Sequence, residues 1–157
     1  MLYKVFLSHS TADRNWVEWI AQNAAELGVE VYLYEHDSQP GVPIAEKIKQ
    51  AIQSSDALVV LLTGDSQSSS YVHQEIGFAE AKGKTIIPLV QPGVDEQRLS
   101  MLVGREYIPF DFHKPQEALS TLMNHLQKLK AAKSSGQAVL LGLGGLILLA
   151  LLASDKK

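Results

Sequence analysis

Short apolar runs alternate along the chain with stretches in which apolar residues return every three or four positions. The runs are KVFLS (4–8), VEVYLY (29–34), ALVVLLT (57–63), TIIPLV (85–90) and EYIPF (106–110). Their apolar character suits parallel strands buried on both faces. Between them, Trp16, Trp19, Ile20 and Leu27 mark a first amphipathic helix, and Ile44, Ile48 and Ile52 a second, with Pro43 near its start. Val72, Ile76, Ala79 and Gly83 mark a third, Leu99 and Leu102 a short fourth, and Leu119, Leu122, Leu126 and Leu129 a fifth. Strand–helix alternation of this kind predicts a doubly wound α/β domain with a parallel sheet. In such sheets ligands bind beyond the carboxyl ends of the strands, where the strand order reverses. For five strands in the order 2-1-3-4-5, that place lies between the first and third strands.

The third helix carries the most informative side chain. At about 100° per residue, Val72, Ile76, Ala79 and Gly83 form one apolar stripe, the side expected to face the sheet. Glu75 projects roughly 60° from the centre of that stripe, with Tyr71 and Phe78 on the same flank. Glu80 falls on the opposite shoulder, while Gln74 and Gly77 point further away. A carboxylate at the rim of a buried face either reaches water or opens onto a cleft. Glu75 stands at the end of the sheet where this architecture gathers its chemistry, so the cleft is favoured.

Composition sets bounds on this picture. The 157 residues allow one ordinary domain, and 46% hydrophobic with 20% charged residues is a globular balance. The absence of cysteine excludes disulfides and thiolate metal sites, and the five histidines show no metal-ligand spacing. Residues 1–127 carry nine Lys/Arg against sixteen Asp/Glu, which argues against nucleic acid as the main partner. Residues 128–157 carry five against one. No export signal opens the chain, because MLYKVFLSHS turns polar too soon. Residues 1–132 are therefore assigned to the α/β domain and 133–137 to a linker. Residues 138–154 form an apolar C-terminal helix expected to cross a membrane, and 155–157 a short polar tail. The uncharged run 138–153 would span about 24 Å as a helix, short of the roughly 30 Å hydrocarbon core. Lys133, Lys156 and Lys157 could snorkel outward. Its competitors are a helix buried in an oligomer and a hairpin packed on the body.

Two loops face the expected site. In SHSTAD, Ser10 and Asp13 resemble a capping box, and Ser8 and His9 sit at the carboxyl end of the first strand. A Ser-His-Asp hydrolase is disfavoured: no G-x-S-x-G elbow is present, and the side chains of adjacent residues diverge. In YEHDSQPGVP, Pro40-Gly41 suits a turn with positive φ at the glycine, and Glu35 at the loop's root could add a second acid. Loops as long as this one are often functional.

Taken together, KVFLSHSTAD, the stretch from GVEVYLYEHDSQPGVP to VVLLT, and SSYVHQEIGFAEAKGKTIIPLV resemble the Toll/interleukin-1 receptor (TIR) domain family, of bacterial type. The resemblance covers residues 4–110 or so. It implies a flavodoxin-like five-stranded sheet of order 2-1-3-4-5. It also implies one of two functions, an enzyme that cleaves NAD+ or an adaptor that only self-associates. In the enzymes the Glu of a W-x-x-x-E helix is catalytic, a role that falls on Glu75, with Tyr71 at the aromatic position. Tyr71 departs from the usual Trp, and Tyr34 from the Asp that many enzymatic members carry before the acid matched by Glu35. The expected substrate-binding residues are Phe6, Ser8, His9, Ser10, Glu35 and Tyr71. Gln39, Pro40 and Gly41 of the second loop (the BB loop) are the expected assembly surface.

One well-placed carboxylate suits this chemistry. Nicotinamide in NAD+ is already a cationic leaving group and needs no general acid. What develops is oxocarbenium charge on the ribose, which a partly desolvated carboxylate can stabilise. The resemblance thus implies a bacterial NAD+ glycohydrolase or ADP-ribosyl cyclase-type enzyme of anti-phage defence, active when self-assembled, and the apolar run 138–153 adds the expectation that it is membrane-anchored. NAD+ would be its substrate, with no separate cofactor and no metal. The C-terminal anchor would hold it at the inner membrane, facing the cytoplasm. The alternative is a non-enzymatic scaffold that clusters at the membrane.

Overall fold

Five strands lie parallel in one sheet: β1 (Tyr3–Ser8), β2 (Val29–Tyr32), β3 (Ala57–Leu62), β4 (Thr85–Val90) and β5 (Ile108–Pro109). Their order is β2-β1-β3-β4-β5, as the alternation predicts. The helices are α1 (Arg14–Glu26), α2 (Ile44–Ser54), α3 (Ser70–Ala81) and α4 (Pro115–Ser134). The structure is a computed structural model that describes residues 2–65, 70–94, 102 and 104–135. Leu99 of the expected fourth helix and the apolar run 138–153 lie outside the described residues.

Alternation along each strand divides the core in two. Val5 and Leu7 of β1, Ala57, Val59 and Leu61 of β3, and Ile87 and Leu89 of β4 pack with α1 and α4. Phe6, Leu58, Val60, Leu62, Ile86 and Val90 pack with Ile48 and Ile52 of α2 and with Val72, Ile76 and Ala79 of α3. The central strand β3 is buried at all six positions because helices cover both faces. Truncating a filled position such as Ile76 to Ala would cost about 2–5 kcal/mol. The same parity puts Ser8 on the α2/α3 face with Phe6, beneath the helix that carries Glu75.

α3 stops for a local reason. After α3, Gly83 takes φ +68°, its N–H donates to Glu80 O (3.0 Å), and the Lys84 N–H reaches back to Ala79 O (3.0 Å). That is a Schellman closure, which a left-handed glycine permits. Gly83 thus ends the helix instead of extending its stripe.

Two strands are shorter than their apolar runs. β2 stops at Tyr32, and the chain turns through one 3-10 turn at Tyr34–His36 instead of extending to Tyr34. β5 has only two paired residues, against Leu89 and Val90, while Glu106 and Tyr107 are exposed. The outer side of β4 therefore lacks a strand partner at its start, among the described residues. Val90 O faces β5 and accepts from the Phe110 N–H (2.8 Å), and by alternation Pro88 points to the same side. A proline there forfeits no ladder hydrogen bond and blunts the open edge.

The capping box is half realised. Ser10 Oγ accepts from the Ala12 N–H (3.3 Å), but Asp13 makes no side-chain cap bond at the start of α1. Asp13 is buried instead and accepts from the Thr63 hydroxyl at 2.7 Å, tying α1 to the end of β3. Burial pushes the Asp13 carboxyl above its ordinary range, and the Thr63 hydrogen bond opposes the shift.

Candidate functional site

Glu75 lies where two lobes of one cleft meet. The first lobe, about 280 Å³, is lined by His9, Ser10, Thr11, Tyr34, Glu35, Ile44, Ile48, Tyr71 and Glu75. The second, about 210 Å³, runs between α2 and α3 and is walled by Ile44, Ile48, Ile52, Tyr71 and Phe78, with Lys49, Gln74 and Glu75 at its edges. Ile44, Ile48, Tyr71 and Glu75 belong to both. The first lobe sits beyond the carboxyl end of β1, at the point where the strand order reverses.

α3 explains the position of Glu75. Val72, Ile76 and Ala79 anchor the helix to the sheet. The flank one step round then projects Glu75, Tyr71 and Phe78 toward α2. Gln74 follows them to the cleft edge, although the wheel alone places it further away. Glu80, on the opposite shoulder, is exposed and pairs with Arg105 at 3.0 Å.

One oxygen of the Glu75 carboxylate is shut off from water. Among the described residues its Oε2 is buried with no hydrogen-bond partner, and so is the Ser8 hydroxyl, on a residue only 1% exposed. Burial pushes the Glu75 carboxyl up to about 7. The Ser8 hydroxyl opposes that shift, close enough to favour the carboxylate although no hydrogen bond of ordinary geometry joins the two. The Glu35 carboxylate adds to the shift. Leaving buried polar groups unpaired costs about 1–3 kcal/mol each, so an acceptor and a donor held this way suit a ligand hydroxyl.

His9 and Glu35 close the far wall. His9 Nδ1 lies 2.9 Å from Leu7 O, and Nε2 lies 2.6 Å from Glu35 Oε1. A carbonyl can only accept, so Nδ1 donates to it. A carboxylate can only accept as well, so the second contact also holds a proton, on the imidazole or on the acid. The two side chains are 4% and 14% exposed, which makes this a sheltered hydrogen bond across 26 residues of sequence.

Of the expected site residues, Ser8, His9, Ser10, Glu35, Tyr71 and Glu75 converge on this region. Phe6 does not reach it: the ring is buried and stacks on Tyr32 (centroids 5.3 Å apart) beneath the floor. Gln39, Pro40 and Gly41 are exposed on the second loop, and Gly41 has φ +85°. Further residues belong to the region: Thr11, Tyr34, Ile44 and Ile48 line the first lobe, while Lys47 and Asp37 hold its loop. Tyr32 donates to Asp37 Oδ2 (2.6 Å), as does Gln39 Nε2 (2.9 Å), and these bonds keep the Asp37 carboxyl below its usual range. The signal for Lys47 in the sequence is a lysine adjoining the Ile44–Ile48–Ile52 stripe.

A larger cavity of about 510 Å³ lies between the open edge of β4 and α4, lined by Thr85, Glu106, Tyr107, Thr121, Asn124, His125 and Lys128 among others. It borders the first half of β4, away from the carboxyl ends of the strands. No unpaired buried side chain faces it among the described residues. Size alone does not make it the reaction site.

Comparison with known proteins agrees with this architecture. Toll-like receptor 1 of Homo sapiens is 26% identical over 119 residues, covering 71% of this chain and 14% of the receptor. The chain thus spans only a small part of that relative's length. The TIR domain of the Toll-related receptor TRR-2 of Hydra magnipapillata superposes with a TM-score of 0.65 at 19% identity, covering 80% of this chain and 97% of that one. The Clostridium botulinum CMP N-glycosidase BcmB superposes with a TM-score of 0.55 at 22% identity, covering 76% and 97%. At these identities the superpositions show the fold. Residues 5–123 match the family described as the TIR domain. With most of its length inside that match, and the strand order β2-β1-β3-β4-β5 in place, this chain belongs to the TIR domain family.

Proposed function

We propose that the cleft cleaves the bond between ribose and a positively charged base, with NAD+ as substrate and Glu75 as the catalytic residue. The carrying observation is the Glu75 carboxylate at the junction of a polar and an apolar lobe, with its Oε2 buried and unpaired among the described residues. As the C1′–N bond breaks, its electron pair goes to the nicotinamide nitrogen and neutralises the ring. Positive charge then appears on the ribose beside Glu75, where low local polarity strengthens the carboxylate's attraction. Ser8 and Glu75 supply a donor and an acceptor for ribose hydroxyls. Tyr71, 63% exposed at the cleft mouth, offers a ring face to the pyridinium. Water or another acceptor then adds at C1′ and gives up its proton.

Electrostatics favour a cationic base. The polar lobe holds two carboxylates, and its imidazole is already engaged with Glu35. A second reading rests on the raised Glu75 carboxyl, at about 7. Partly protonated near neutrality, it could act as a general acid and release a neutral base from a nucleotide. CMP, the substrate in the name of the N-glycosidase that shares this fold, carries such a base. The two differ in pH dependence: the first needs ionised Glu75 and speeds up with rising pH, the second slows.

The membrane-anchored, bacterial, defensive setting is part of the same proposal. It is supported by the resemblance of the three sequence boxes and by the uncharged run 138–153. Incubating the assembled protein with NAD+ and separating products by chromatography tests it. Glu75→Ala should abolish nicotinamide release, and Glu80→Ala should keep it. Equal turnover in both variants would remove Glu75 from the chemistry. No turnover by the parent would favour a scaffold.

A further inference from the structure

The second loop carries a buried charge that the proposed chemistry does not use. Lys47 on α2 is 8% exposed, and among the described residues no carboxylate oxygen is in ion-pair contact with it, although its charge helps keep the Asp37 carboxyl low. Its ammonium donates to the Asp37 carbonyl and sits over the Tyr34 ring, 4.9 Å from the centroid. Those partners flank the 3-10 turn Tyr34–His36, one at its first residue and one just after its last. The turn holds itself by only two backbone bonds, His36 N–H to Leu33 O (3.0 Å) and Asp37 N–H to Tyr34 O (3.1 Å). Between the clamped ends stands Glu35, whose carboxylate meets His9 across the cleft.

We propose that Lys47 is a positioning residue: its ammonium clamps both ends of the Tyr34–His36 turn and so sets Glu35 against His9 at the wall of the cleft. Burying an ammonium is costly, and apolar replacements of buried ions are often neutral or stabilising for the fold. A lysine here is therefore explained by what it holds in place. Its flexible stem lets one charge bridge a carbonyl and a ring face, two groups that no single apolar side chain can engage.

The test uses the full chain and the Lys47→Met variant, which keeps volume and removes charge. The first readout is the proton resonance of the His9 Nε2···Glu35 contact, which does not rest on the NAD+ proposal. In Lys47→Met it should broaden away or shift, while strand amide resonances of β1, β3 and β4 stay in place. Amide exchange at His36 and Asp37 should accelerate about tenfold or more, with core amides such as that of Val59 unaffected. The second readout does rest on the proposed function. KM for NAD+ should rise about tenfold while kcat changes less than about threefold, because Glu35 and His9 would bind and Glu75 would act. Lys47→Arg, which keeps the cation, should restore the His9 signal. Tyr34→Leu, which removes only the ring half of the clamp, should give an intermediate effect. The proposal is overturned if a folded Lys47→Met keeps both the His9 signal and slow exchange in the turn. It is equally overturned if Lys47→Met cannot fold and a folded Tyr34→Leu leaves both unchanged.

Discussion

At the scale of single side chains, Glu75 is held in a setting that works against its own charge. Burial raises its carboxyl from 4.5 to about 7, so the folded chain holds this proton more tightly than the unfolded chain does. A group with a raised folded-state pKa of this acidic kind costs no stability below about pH 4.5. The cost grows through the interval to about 7 and is complete above it. A shift of that size corresponds to about 3 kcal/mol. Glu75→Gln, which resembles the neutral acid, should therefore raise the melting temperature at pH 8 and leave it nearly unchanged at pH 4.5. Thermal unfolding at the two pH values checks this, and such a gain on losing a functional residue is a familiar trade-off. Tyr71 makes a different claim on the cleft. Tyr71→Phe should keep most of the steady-state rate and Tyr71→Ala should lose it, because the ring face matters more than the hydroxyl.

At the scale of elements, the second loop joins site to surface. Gly41 has φ +85°, and a Cβ added there would meet nothing within 4 Å. Gly41→Val would therefore strain the backbone, at a cost of about 1–2 kcal/mol, without a clash. The predicted outcome is an intact fold whose rate per molecule is low at every concentration, while the parent's rate per molecule falls on dilution. A parent rate that stays flat across dilution would contradict assembly through this loop. The elements themselves were legible because their signals are local. The continuous apolar runs and the Val72–Ile76–Ala79 stripe depend on near neighbours along the chain, and the stripe also places Glu75 at the rim. What stayed hidden depends on remote partners. Asp13 leaves its cap for Thr63, 50 residues away, and Tyr34 leaves the strand for a 3-10 turn in which its ring lies against Lys47. β5 shrinks to two residues although EYIPF reads as a full strand, because pairing with β4 reaches only Leu89 and Val90. Phe6 was expected in the site; it shares a face of β1 with Ser8 but lies two residues earlier, where it packs into the α2/α3 core.

At the scale of the whole molecule, an acidic α/β body precedes a strongly apolar run at 138–153. If that run anchors the chain, full-length protein should stay with the membrane fraction through salt and carbonate washes and leave only with detergent. A version ending at residue 135, after α4, should be found in the soluble fraction. Release of the full chain without detergent would favour burial of the run inside an oligomer. On the proposed reading, the body's function depends on one ionised carboxylate acting on a cationic leaving base, and the pH dependence of nicotinamide release tests that claim most directly. Release from NAD+ should rise about tenfold per pH unit below the Glu75 transition, level off above about 7, and vanish in Glu75→Gln. A rate that falls as pH rises, or one that survives Glu75→Gln, would contradict it.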